Sequence, residues 1–406
     1  MKIWERLRRP TSANAEDAEK IRLTGDDYAA QNPYYAAIAR FYHLAQMALF
    51  GLLAAFIILS MLIRSDDITY ENFFYLFKDI HAAVDSDEIS FSTLVYDADE
   101  TQDFATYRGG LAVAGESGLT VFTATGRQTL NQTLNMNSPI LHTSSRGVLV
   151  YEQGGHDFAL YNSFTRLHSG QTEGMLSCAA ISDYGWFAVA SHDGSSSKIA
   201  VYDKHSRLKS EYFKNGFTTA LALNTAGDLL AIVTTDAKNG TYLTRIELYL
   251  PGTDEILQEW SFEDFFPLAC QFADNKTLYL AGIDRMLVLD HRGDIPVDMS
   301  FGKNIDRAFC SEYGYALLFS DGTLELYDVA GTLIGQRAEA GDIRSVLVGK
   351  EKVYMMTEFT LMSYDIQNGE GSQIQYDFPL QELLWYAEDE LLLCSRSTAR
   401  FLKMTP

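Results

Sequence analysis

The sequence predicts an all-β fold, an eight-bladed β-propeller, carried behind one N-terminal transmembrane helix. Three observations predict it. Leu44 to Ile63, LAQMALFGLLAAFIILSMLI, runs twenty residues without a charge. From residue 89 onward, short alternating strands are separated by Gly, Asp, Asn and Ser turns. Within that region a strand ending in an aromatic residue or leucine returns eight times, and self-similarity at a fixed period marks a repeat architecture.

Residues 1–43 form a tail expected on the cytoplasmic side. Its opening, MKIWERLRRP, places Ile3, Trp4 and Leu7 among Arg6, Arg8 and Arg9, the pattern of a short basic amphipathic helix at an inner leaflet or of a basic terminus that only sets topology. Residues 44–63 are the span. At 1.5 Å per residue, twenty helical residues cover roughly 30 Å, the hydrocarbon thickness of a bilayer. The segment is apolar all round, unlike an amphipathic core helix, and Arg64, Ser65, Asp66 and Asp67 follow it in place of a small-residue cleavage site. It is expected to be an uncleaved signal anchor. Seven Lys and Arg precede it, whereas residues 64 to 106 hold only Arg64 and Lys78. That bias predicts a cytoplasmic N-terminus and an extracytoplasmic C-terminal domain, a type II topology at the cell membrane.

Residues 64–88 form a juxtamembrane segment. Tyr70, Phe73, Phe74, Phe77, Ile80 and Val84 recur at three-and-four spacing, with Asp66 or Asp67 available as a helix cap. This amphipathic helix has three candidate partners: the outer headgroup layer, the large domain and a neighbouring membrane helix. Tyr70, Phe73, Phe74 and Phe77 are its membrane-interface candidates.

Residues 89–406 form the propeller. Aligning GLTVF, DFALY, KIAVYD, RIELYL, RMLVLD, TLELYD, TLMSYD and ARFLKM brings Phe122, Tyr161, Tyr202, Tyr249, Leu289, Tyr327, Tyr364 and Leu402 into register, at intervals of 39, 41, 47, 40, 38, 37 and 38 residues. A period near 40 with several strands per repeat belongs to four-stranded blades arranged radially. Seven blades is the alternative if one repeat is irregular, and the long fourth one, with TTDAKNGTYLTR, is the place to look. No strand follows the eighth marked one. The alternating stretch Ile89 to Tyr96 can supply it, closing the ring and covering an open edge.

The blade pattern, seen best in Phe319 to Gly331, FSDGTLELYDVAG, resembles the repeats of pyrroloquinoline-quinone-like (PQQ-like) propellers. With YENFFYLFKDI after the span and YRGGLAV at Tyr107 to Val113, the chain looks like an uncharacterised family of Firmicute single-pass membrane proteins with a PQQ-like ectodomain, a domain of unknown function. That resemblance implies topology and no activity. Quinoprotein enzymes repeat a tryptophan docking motif, and none of Trp4, Trp186, Trp260 or Trp385 falls at that position.

Function classes narrow accordingly. The tail holds seven bases and six acids, leaving 25 bases and 48 acids after it, so nucleic acid is an unfavourable partner of the large domain. No phosphate loop, nucleophile elbow or H-E-x-x-H motif is present. Cys178, Cys270, Cys310 and Cys394 form no C-x-x-C pair and read as buried free thiols. His156, His168, His192, His205 and His291 fall at turns or strand ends and read as solvated. Asp193 to Ser197 reads as a hairpin turn, with a cation-binding turn as the alternative. The expectation is a non-catalytic protein without cofactor or metal, acting as a scaffold or binding platform for an envelope or membrane protein. A ligand or glycan sensor is the alternative.

Overall fold

A computed structural model describes residues 45–56, 58, 69–72, 74, 93–99, 101–238, 240–338, 342–387 and 390–403. The chain divides into two compact units, Met1–Asp85 and Ser86–Pro406.

In the first unit, residues 45–56 are helical and exposed on every side, Leu52 by 70% and Phe56 by 65%. No helix among the described residues is long and apolar enough to cross a membrane. Residues 44, 57 and 59–63 of the expected span, and the whole tail, lie outside the described residues. Tyr70 starts the next helical stretch and is exposed, and Phe74 is half-buried. The cap differs from the expectation: Thr69 Oγ1 accepts the Asn72 N–H at 3.2 Å. Phe73 and Phe77 lie outside the described residues, as do Asp66 and Asp67.

The second unit is eight four-stranded antiparallel sheets. Seven are continuous in sequence, at residues 102–132, 139–171, 175–215, 217–263, 267–300, 305–337 and 345–375, and are called blades 1 to 7. Blade 8 takes Leu380–Ala387, Glu390–Ser395 and Thr398–Lys403, and its outer strand is Thr93–Val95 from the other end of the domain. All eight register residues fall in the third strand of their blades. The long fourth repeat is a regular blade whose second and third strands, Leu230–Lys238 and Thr241–Tyr249, are merely extended to nine residues each.

Burial explains why these sequences form blades. Second strands such as Gly110–Gly115 and Gly314–Phe319 are buried at every position, because a blade's two faces are both covered by neighbours and alternation is lost. Outer strands alternate or are fully exposed, as Gly371–Gln375 is. Eight hydrophobic clusters result, each drawn from two adjacent blades. The inner strands of neighbouring blades touch around a central channel.

The recurring Tyr-Asp and Leu-Asp steps are turn chemistry. Asp203, Asp290, Asp328 and Asp365 each accept backbone N–H bonds within the loop between third and fourth strands, as from Ala330 and Thr332 onto Asp328 Oδ1. Such an Asx turn replaces hydrogen bonds the sheet cannot make there. At three third-strand ends a cation from the preceding blade or its linker reaches the tyrosine or the glutamate two residues before it. Lys214 pairs with Glu247 at 2.6 Å and donates to Tyr249 Oη. Lys303 repeats this with Glu325 at 3.0 Å, which also accepts from Tyr327, and Arg337 donates to Tyr364. The YRGG motif is also a turn: Arg108 and Gly109 both adopt positive φ, and a Cβ on Gly110 would lie 1.9 Å from the Phe122 carbonyl oxygen.

The seam forms as the sequence predicts, and its described part is Thr93–Val95. Thr93, Leu94 and Val95 pair with Arg400, Ala399 and Thr398, and residues 89–92 lie outside the described residues. Leu94 is 1% exposed within the cluster shared by blades 8 and 1, and Tyr96 Oη donates to the Ser395 carbonyl at 2.6 Å. Leu94→Ala is expected to lower the unfolding free energy of the propeller by about 3 kcal/mol, read by urea denaturation followed by tryptophan fluorescence.

Candidate functional site

Strand order gives the ring two faces. On one, here the linker face, each outer strand passes to the next blade and the hairpins between second and third strands lie; on the other sit the remaining hairpins. The second face is tied hairpin to hairpin. Tyr386 Oη donates to Gly109 O, Arg108 Nε to Ser145 O, Ser145 N to Asp183 Oδ1, Tyr184 N to Thr225 O and Ala226 N to Asn275 Oδ1. Its polar groups are largely spent on holding blades 8, 1, 2, 3, 4 and 5 together.

The linker face is different. Across blades 3 to 5, Met175, Phe217, Tyr242, Leu268 and Ile283 stand 38–46% exposed. Two local contacts lie among them: His192, opposite Met175 in the sheet, meets Phe217 edge-on at 4.5 Å, and Tyr242 meets Phe266 at 5.5 Å. Phe266 in turn accepts the Ile283 N–H. Apolar side chains standing together on one face differ from the scattered ones any surface carries.

On the same face, across the channel mouth, blades 7, 8, 1 and 2 enclose a cavity of about 410 Å³ lined by Gln102, Asp103, Arg344, Gln381 and Glu382 among others. Its residues come from the starts of inner strands, where several blades carry a β-bulge. The bulge at Leu380/Glu382 takes Gln381 out of register. Asp103 accepts the Phe104 N–H at 2.9 Å and the Leu141 N–H at 2.7 Å, yet burial outweighs these bonds and raises its carboxyl above the ordinary range. Glu382 is raised too, first by burial and further by the Asp103 charge, against a Ser345 Oγ donor at 3.2 Å.

Deeper in the channel, burial pushes the Cys178 and Cys310 thiols up to about 12 and Cys270 higher still, which keeps them protonated and unreactive. Cys394 is buried as expected, but the other three are only half-buried. Among the described residues no His, Cys, Asp and Glu cluster could hold a metal. Asp193 to Ser197 is a plain hairpin, with Asp193 opposite Ser196.

His168, expected to be solvated, is half-buried and also packs against Phe158, Phe187 and Tyr202 between blades 2 and 3. Sequence reading passed over His142, stacked on Tyr151 and held at about 4 by burial. It also passed over Asp103 and Glu382, whose strands read as ordinary alternation. An acid at the start of an inner strand was the one available cue.

A raised folded-state carboxyl is one the folded protein prefers protonated, so it favours the fold at low pH and that contribution is lost as pH rises through the folded value. Glu382→Gln keeps the acceptor for Ser345 and removes the buried charge. The variant is expected to melt above the wild type at about pH 7.5 and to match it at about pH 4, checked by differential scanning fluorimetry at both values.

Solved structures similar to this one are propellers of low sequence identity. The computationally designed Ika8 protein is 14% identical at a TM-score of 0.61, covering 77% of this chain and 99% of that one. Sqt1 of Saccharomyces cerevisiae is 9% identical at 0.59, covering 78% and 98%. BamB from Moraxella catarrhalis is 13% identical at 0.54, covering 76% and 96%. These likenesses establish the fold alone. No curated protein matches the sequence. Residues 83–404 match one family model, and the chain therefore belongs to DUF5711, a family of unknown function.

Proposed function

We propose that this chain is a membrane-anchored, non-catalytic binding platform whose linker face docks a protein of the cell envelope. The observation that carries the reading is the apolar arc of Met175, Phe217, Tyr242, Leu268 and Ile283, set beside a polar cavity on one face of an otherwise acidic ring. Protein interfaces place aromatic and apolar residues at the centre and polar groups around them, and this face has both. The opposite face has committed its hairpins to one another.

Thr93–Val95 runs toward the linker face, where Tyr96 N donates to Ser397 O. Anchoring is supported by the uncharged run Leu44 to Ile63 and by a helix at 45–56 whose apolar side chains are exposed all round. Such a surface is costly in water and favourable in lipid. The lysine and arginine bias supports an extracytoplasmic propeller, and its net acidity suits a basic partner surface.

Two measurements test this reading. A photo-crosslinking residue at position 217 or 283 is expected to trap one defined envelope protein in native membranes, and Phe217→Ser with Ile283→Ser to abolish that adduct while leaving the melting temperature within a few degrees. Adducts of equal yield from a crosslinker on the hairpin face, at Tyr313, would sink it. Replacing residues 44–63 by a cleavable secretion signal is expected to release the propeller into the medium; recovery in the cytosol of cells expressing the intact chain would refute the topology.

A further inference from the structure

We propose that the cavity at the linker-face mouth of the channel is a subsite for one cationic side chain of the docked partner, a guanidinium or ammonium group. The proposal deepens the docking reading above and rests on it for the source of the cation.

Acceptors dominate the cavity. The side-chain carbonyls of Gln102 and Gln381 are buried and find no donor among the described residues, although the Gln102 amide is fixed by donating to Asp97 O at 2.7 Å. Buried polar groups are almost always matched; these two oxygens are closed to solvent, so a donor from outside reaches them as the two half-buried glutamine side chains turn toward the cavity. Asp103 is pinned by two backbone N–H groups, and Glu382 is steadied by Ser345. Neither carboxylate has a basic side chain within ion-pair distance among the described residues.

The two arginines nearby do not fill that need. Arg344 lines the cavity, but its Nη1 donates to Leu380 O at 3.2 Å and its Nη2 lies 3.1 Å from Glu358. Arg307 donates to the Arg344 carbonyl and sits 3.9 Å from Asp306. Arg344 thus has an acid of its own, and Arg307 acts on Glu382 only as a charge beyond ion-pair distance. What remains is a pair of carboxylates and a pair of amide carbonyls, brought together from the inner strands of blades 1 and 8.

A guanidinium offers five N–H donors in a planar fork and an ammonium three. Either satisfies acceptors that converge from different strands, whereas an anion would meet two carboxylates. A cavity of about 410 Å³ holds a side chain with its hydration and not a folded element. Cation docking also removes the penalty that burial places on Asp103 and Glu382, so it is accompanied by proton release near their raised values.

Isothermal titration of the detergent-solubilised full chain tests the idea with four probes: a blocked Gly-Arg-Gly peptide, its lysine and citrulline counterparts, and spermidine. Saturable binding of the arginine or lysine peptide is expected, with citrulline at least about tenfold weaker. Glu382→Gln and, independently, Gln381→Leu are expected to weaken the cationic peptides by about tenfold, and Glu382→Gln is the variant expected to fold at least as well as the wild type. Equal binding of the citrulline peptide, or undiminished binding in both variants, would overturn the subsite. Spermidine binding more tightly than either peptide would overturn the partner as the source. A crosslink from position 217 that persists while the peptides fail to bind would leave docking intact and remove this subsite alone.

Discussion

Everything in the propeller depends on burying both faces of each blade. A second strand such as Val148, Leu149 and Val150, or Ala316, Leu317 and Leu318, exposes no side of itself to water. No blade can satisfy that requirement alone, so each is stable only between two others. The ring must therefore close, and one hydrophobic cluster has to join blade 8 to blade 1. It does so through Leu94, Phe104, Leu111, Leu392 and Phe401, residues from the two ends of the domain. Three strand residues brought back from the start of the domain protect the last edge.

This constraint accounts for what was legible in the sequence. Blade count and register could be read because the third strand ends in a large side chain, buried or half-buried between blades, and then turns. Tyr327-Asp328 and Tyr364-Asp365 spell out both demands. The closing strand could be inferred because the eighth repeat lacks a partner and Ile89 to Tyr96 alternates. Which of its residues pair with blade 8, Thr93 to Val95 among them, is a matter of register that alternation does not specify. The fourth repeat looked irregular only because its hairpin is two nine-residue strands; lengthening a hairpin adds residues to the count without disturbing the stacking below it.

The candidate site was far less visible, for a physical reason. Inner strands meet neighbours on their flanks and the channel on their edge, so their residues need not alternate cleanly. Asp103 in QDFATY and Glu382 in LQELLWYA look like solvent-facing positions of ordinary strands. Their significance arises from ring closure, which sets residue 382 beside residue 103 across the seam. Sequence separation of that size carries no local pattern. His168 was legible only in part for a related reason: it keeps contact with water near its turn, and the aromatic rings of two blades that flank its other side come together only in the fold.

The division of labour between the faces follows from the same geometry. Hairpins on one face are short and close to the channel axis, so neighbouring turns reach each other and spend their polar groups on mutual hydrogen bonds such as Ser145 to Asp183. On the other face the chain must cross from an outer strand to the next inner strand. Those crossings start each inner strand through a bulge in five of the eight blades, at Leu176/Cys178, Thr218/Ala220, Pro267/Ala269, Ile305/Arg307 and Leu380/Glu382. A bulge turns a side chain out of the ladder and leaves it available. Leu268 and Gln381 are two such residues, one in the apolar arc and one in the acceptor-lined cavity. The face that carries the blade-to-blade crossings is thus the one where bulged positions free side chains without loosening the ring, the apolar Leu268 and the polar Gln381 among them.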